Sequence, residues 1–148
     1  MIRDFKTTDT DAVVDVWRAA TAVAHPFLTA DFIESEADNL RNIYLVHAQT
    51  RVIEFNGLVS GFIAMIGTEI GGLFLDPKLH GRGLGRALVD DAAKQFDTLE
   101  VEVFEQNTVG RRFYDSYGFQ QIGSSFHEAT GETVLRLANT GKNTEAAA

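Results

Sequence analysis

Cysteine is absent from all 148 residues, so no protein thiol is available as a covalent nucleophile. Any group transfer must pass directly between bound substrates or use a weaker nucleophile. A basic excess is missing as well. Lys and Arg total 13 against 21 Asp and Glu, a formal net charge of −8, which argues against nucleic acid or an anionic membrane as a main partner because both want a basic face. The balance mildly favours a cationic substrate. No apolar run approaches the roughly 18 residues of a membrane span, and Met1-Ile2-Arg3-Asp4-Phe5-Lys6 lacks the apolar core of a signal peptide. A cytoplasmic enzyme is the expectation. Internal repeats are lacking too. What is present is a globular composition with 45% hydrophobic residues, enough for one domain that buries roughly two-thirds of its unfolded surface.

Periodicity predicts a mixed α/β chain. Met1 to Lys6 reads as a first strand, and Thr8 with Asp11 as a capping-box-like start to a helix through Val13, Val14, Val16 and Trp17. Pro26 interrupts it. Thr29 or Asp31 starts a second helix to about Ile43, and strands 51–55 and 58–66 flank Asn56-Gly57, a strong hairpin signal. Strand 69–75, a helix to about Phe96, strand 99–104, a helix 108–117 closed by Gly118, and a last hairpin of 119–126 with 133–137 complete the pattern. The domain is expected to span 1–138, with 139–148 a frayed tail lacking a periodic apolar face.

Between the strand ending at Leu75 and the following helix lies Lys78-Leu79-His80-Gly81-Arg82-Gly83-Leu84-Gly85-Arg86. Glycines let main-chain N–H groups converge on an anion, and a helix starting near Gly83 or Gly85 adds its positive dipole end. The spacing fits neither common nucleotide loop. Arg86 stands where a dinucleotide turn needs its last glycine, and no G-x-x-x-x-G-K-[ST] occurs. A diphosphate nest remains, flanked by Lys78, His80, Arg82 and Arg86, where each shielded charge-assisted contact contributes roughly 1.5–3 kcal/mol.

These residues resemble the acetyl-CoA loop of the GNAT (GCN5-related) N-acetyltransferases, [QR]-x-x-G-x-[GA]: Gly83 and Gly85 match, and His80 replaces the leading Gln or Arg. A second segment is similar as well. Asn107 through Phe119 carries N-x-x-x-x-x-F-Y-x-x-x-G-F. The resemblance implies an α/β GNAT fold, mostly antiparallel, with seven strands splayed between the fourth and fifth and about four flanking helices. It implies acetyl-CoA as cosubstrate, no metal, and a monomer or homodimer. Cofactor contacts would come from Leu73, Phe74, Leu75, His80, Gly81, Arg82, Gly83, Leu84, Gly85, Arg86, Asn107 and Tyr114.

Leu99-Glu100-Val101-Glu102-Val103 alternates and puts both glutamates on one strand face. They either line a solvated surface or one acts chemically. The resemblance points to Glu102, five residues before Asn107, as general base; Glu69, at the start of the strand before the loop, is an alternative. Tyr114 is the candidate acid for the departing thiolate, because a phenol of pKa about 10 donates to a thiolate of pKa about 8.5; it also reads as a core aromatic beside Phe113. Asn107 reads as a helix cap. The acceptor side is expected from the first two helices and their loop, through Trp17, His25, Phe27 and Tyr44. Trp17 and Phe27 read equally as core, and His25 as a loop histidine. The run from Trp17 to His25-Pro26-Phe27 resembles small bacterial GNAT proteins, some linked to protein lysine acetylation. The acceptor stays open among protein lysine, a peptide N-terminus and small amines. Neutralising a lysine ammonium at pH 7 costs about 4.6 kcal/mol against about 1 for an α-amine. The second function class is a non-catalytic acyl-CoA-binding or sensing module. A nucleotide-phosphate protein is a third.

Overall fold

A computed structural model describes residues 1–140. Seven strands, β1 (Ile2–Asp4), β2 (Gln49–Phe55), β3 (Leu58–Ile66), β4 (Glu69–Leu75), β5 (Leu99–Phe104), β6 (Gln120–His127) and β7 (Glu132–Asn139), form one sheet in the order β1-β2-β3-β4-β5-β7-β6. Helices α1 (Thr10–Ala24), α2 (Ala30–Asn39) and a short α3 (Leu45–His47) precede β2. Helix α4 (Leu84–Ala93) joins β4 to β5, and α5 (Thr108–Tyr117) follows β5. The expected mixed fold and the predicted order of strands and longer helices are observed.

Alternation along the strands sorts two cores onto the two faces of the sheet. Val52, Phe62, Ala64 and Phe74 meet α1 through Val13 and Trp17, α2 through Ala37, and the residue after α2, Leu40. Ile53, Ile63, Met65, Val101 and Val103 meet Leu88 and Val89 of α4 and Tyr114 of α5. Helix α1 buries Val13, Val14, Val16, Trp17, Ala20 and Thr21, the single stripe of an amphipathic helix. The β2–β3 turn holds Asn56 at φ 54° and Gly57 at φ 78°, the left-handed pair that the Asn-Gly signal predicts.

The sheet opens at its one parallel seam. Strands β4 and β5 pair only at Glu69 with Glu100 and Ile70 with Val101. On its other side β4 slips register against β3, with Ala64 opposite Gly72 but Met65 opposite Ile70, so Gly71 is an extra residue that bends the strand. From there β4 and β5 part, and the gap between them is the floor of the site.

Three boundaries differ from expectation. The first helix begins with a 3₁₀ turn at Thr7–Asp9, and Asp9 rather than Asp11 organises it. The Asp9 carboxylate accepts from the Lys6 N–H at 2.8 Å and from Arg3 at 2.8 and 3.0 Å, and the Arg3 guanidinium holds its pKa below the ordinary value. The second helix does not run regularly to Ile43: after Asn39 it widens into a π-helical turn at Leu40–Tyr44. Leu40 and Leu45, five residues apart across that turn, both reach the same core. Strand β7 runs to Asn139, one residue into the expected tail; residues 141–148 of that tail lie outside the described residues.

Candidate active site

The bend after β4 is built by Gly81 and Gly83, at φ 81° and 79°, a left-handed conformation that side chains disfavour. Gly83 is the N-cap of α4 and offers no side-chain cap. The first helical bond is from the Ala87 N–H to the Gly83 carbonyl at 3.0 Å. Ahead of it, the amides of Gly83, Leu84, Gly85 and Arg86 have no acceptor among the described residues. These orphan donors, with the helix dipole behind them, fit a diphosphate. Gly85 is packed closely, since a Cβ there would lie 3.2 Å from both Leu75 and Phe113.

A cavity of about 900 Å³ runs from this bend into the gap between β4 and β5. Leu73, Phe74, Leu75, His80, Gly81, Gly83, Leu84, Gly85 and Arg86 line it, as do Asn107 and Tyr114. Arg82 does not. Its guanidinium lies over the Phe55 ring, 5.3 Å from the centroid, while Arg86 lies 4.9 Å from the Tyr117 centroid. Lys78 is also absent from the lining and is tied into the preceding turn, its N–H donating to Asp76 Oδ1 at 3.0 Å.

Helix α5 is fixed at both ends. Asn107 Oδ1 accepts from the Gly110 N–H at 2.8 Å, the predicted cap, and Gly118 ends the helix at φ 115°. Tyr114 stands between them, only 6% exposed, packed against Phe113 and Phe119. Its hydroxyl bonds to no other described residue, and burial pushes the phenol well above its usual pKa. It is a protonated donor facing the cavity.

Trp17, His25 and Tyr44 line the cavity from the α1–α2 side. Phe27 does not: it stacks edge-to-face on His25 and Phe104, with centroids 5.7 and 5.4 Å away, and so braces the wall from behind. His25 Nε2 lies 3.2 Å from Asn107 Nδ2. Because Oδ1 of that amide serves the α5 cap, the NH₂ group faces the ring, and Nε2 must accept. Burial agrees, lowering the His25 pKa to about 4. A neutral histidine thus links the α1–α2 loop to the start of α5.

Glu102 reaches the cavity from β5, and it is not a free carboxylate. Arg136 on β7 donates to Glu102 and Glu69 at 2.9 Å each and to Glu100 at 3.2 Å. Three carboxylates therefore share one guanidinium, and the group retains an excess of negative charge. Both predicted base candidates, Glu102 and Glu69, belong to this one network.

Phe104, Phe32, His127 and Glu36 also line the cavity and were not expected there. Phe104 shares the face of Glu100 and Glu102 by strand alternation, a readable signal. It carries His25 and His127 at 5.1 and 5.6 Å. Phe32, Glu36 and Leu40 are spaced by four in the second helix, which marks one face but not what it faces.

A sheet split along its parallel seam, with unpaired amides at a bend on one edge of the split and a capped helix carrying a buried phenol on the other, is an architecture that can admit an extended ligand between two strands. The chain matches the acetyltransferase (GNAT) domain over residues 19–134, and it belongs to that family of N-acetyltransferases. It is similar to the peptidyl-lysine N-acetyltransferase YiaC of Escherichia coli (strain K12), 29% identical over 131 residues that cover 88% of this chain and 90% of the relative. It is also similar to the peptidyl-lysine N-acetyltransferase YjaB of the same organism, 30% identical over 143 residues, covering 95% and 97%. The solution structure of apo-form YjaB superposes with a TM-score of 0.84 at 29% identity over 93% of this chain and 95% of that one. The crystal structure of PaiA N-acetyltransferase from Thermoplasma acidophilum in complex with coenzyme A, 20% identical, shares the fold with a TM-score of 0.73 over 92% and 96% of the two chains.

Proposed function

We propose that this N-acetyltransferase uses acetyl-CoA to acetylate the side-chain amine of lysine in a protein or peptide, in a ternary complex without a covalent enzyme intermediate. The observation that carries the reading is the continuity of one cavity from the orphan amides of the bend to Tyr114, Glu102 and the α1–α2 wall. Donor and acceptor then meet in a single chamber, and holding them together supplies much of the rate. Both E. coli relatives are named for peptidyl-lysine as acceptor, which favours lysine over an N-terminal or small amine.

In this mechanism the amides of Gly83 to Arg86 hold the diphosphate, and Leu73 to Leu75 align the pantetheine arm along the open edge of β4. Glu102 receives the proton of the amine, directly or through water. Its share of Arg136 fixes its position, while Glu69 and Glu100 keep the surroundings anionic. As nitrogen bonds to the acetyl carbon and the C–S bond breaks, the Tyr114 hydroxyl protonates the leaving thiolate. Asn107 and His25 set the start of α5, and so the place of Tyr114.

The test is acetyl-CoA-dependent modification of a lysine peptide, read by mass spectrometry with wild type and Glu102→Gln. Addition of one acetyl group to the lysine side chain by the wild type, and a large loss of rate in the variant with CoA binding retained, is the expected result. Binding of acetyl-CoA without transfer to any amine would instead assign a sensing module.

A further inference from the structure

The acceptor side of the cavity holds a carboxylate that the mechanism above does not use. Glu36, in the second half of α2, is partly buried and lines the cavity. No described residue bonds or pairs with its carboxylate. Among the described residues no arginine pairs with it: Arg18 grips Glu34 at 2.7 and 3.0 Å, Arg41 pairs with Asp11 at 2.7 Å, Arg136 serves the β5 network, and Arg86 and Arg112, which line the cavity from α4 and α5, form no ion pair with it. Glu36 therefore differs from Glu102, the other carboxylate on the cavity wall, in having no cation of its own.

Apolar side chains line the cavity on either side of it. Phe32 and Leu40 stand one turn to either side on the same helix face, and the π-helical turn brings Tyr44 to the same wall. A half-buried carboxylate on the cavity wall with no partner of its own can take one from an incoming ligand as a charge-assisted hydrogen bond. A lysine side chain has the matching form, four methylenes to lie along Phe32, Leu40 and Tyr44 and an ammonium to meet the carboxylate. At neutral pH the amine arrives protonated.

We propose that Glu36 is the specificity residue for the acceptor: it binds the ammonium of the incoming lysine before proton loss, and it disfavours amines that carry a neighbouring carboxylate, such as free α-amino acids. The proposal rests on the acetyltransferase reading for its role in turnover. The binding event it describes is measurable by itself.

Two measurements with wild type, Glu36→Gln and Glu36→Asp test it. In steady-state assays with a lysine peptide, Glu36→Gln is expected to raise the peptide KM about tenfold, with kcat and the acetyl-CoA KM within about twofold, as loss of an interaction shared by the ground state and the transition state, where the attacking nitrogen is again positive, requires. Glu36→Asp restores part of the affinity. In calorimetry on the CoA-bound protein, the wild type is expected to bind the lysine peptide about tenfold more tightly than the same peptide with norleucine, a gap of about 1.4 kcal/mol that Glu36→Gln abolishes. Persistence of that preference in Glu36→Gln, or absence of it from the wild type, overturns the proposal. A wild type that discriminates the two peptides through Glu36 yet acetylates neither supports the Glu36 assignment and overturns the acetyltransferase reading.

Discussion

Acidification puts the surroundings of His25 under direct strain. Burial lowers its pKa from 6.5 to about 4, and the Asn107 NH₂ group 3.2 Å from Nε2 occupies the direction in which a protonated ring would place an N–H. The unfolded chain takes up this proton near pH 6.5 and the folded chain only near pH 4, so across that window the unfolded state binds more protons. Stability that is fully present above pH 6.5 is therefore lost as the pH falls toward 4. With each pKa unit equal to about 1.4 kcal/mol, the loss is about 2 kcal/mol at pH 5 and about 3 kcal/mol at pH 4. His25→Gln retains an acceptor for Asn107 and removes the titration. Urea unfolding of both proteins between about pH 7.5 and pH 5 isolates this one group, because the carboxylates are common to both. The wild type is expected to lose about 2 kcal/mol relative to the variant over that range. Stability curves that stay parallel refute the reasoning.

Tyr114→Phe keeps the packing on Phe113 and Phe119 and removes only the proton donor; turnover is expected to fall about 100-fold or more, with acetyl-CoA affinity by calorimetry within about twofold. Gly110→Ala would place a Cβ 2.5 Å from Asn107 Nδ2 and 3.0 Å from its Cγ. The amide must then abandon its bonds to the α5 cap and His25, so a loss of about 1–2 kcal/mol in urea unfolding is expected, together with reduced turnover. Phe62→Ala empties a fully buried position between Trp17's core and the sheet and is expected to cost about 3–5 kcal/mol by the same method.

Local signals were legible because they act locally. Asn56-Gly57 sets its own turn, the alternation of Leu99 to Val103 sorts its own faces, and the glycines of the bend tolerate a backbone few other residues adopt. What stayed hidden depends on partners far apart in the chain. Arg136 gathers Glu69, Glu100 and Glu102 from β4 and β5, and nothing near Arg136 in sequence announces it. Arg82 reads as a diphosphate contact from its place in the loop, yet it lies over Phe55 of β2. Phe27 reads as a substrate contact from its loop, but Phe104, seventy-odd positions away, draws it behind the wall. The π-helical turn at Leu40–Tyr44 carries no propensity signal of its own, since its residues are ordinary helix formers.

Titration calorimetry of acetyl-CoA into wild type and Gly83→Val asks whether main-chain amides at the α4 N-terminus hold the donor. A β-branched residue at φ 79° is strained whatever space surrounds it, and the bend must open and scatter its amides. Clear binding by the wild type and affinity at least about tenfold weaker in Gly83→Val is the expected result. Equal affinity in a folded variant, or no heat with the wild type, contradicts it.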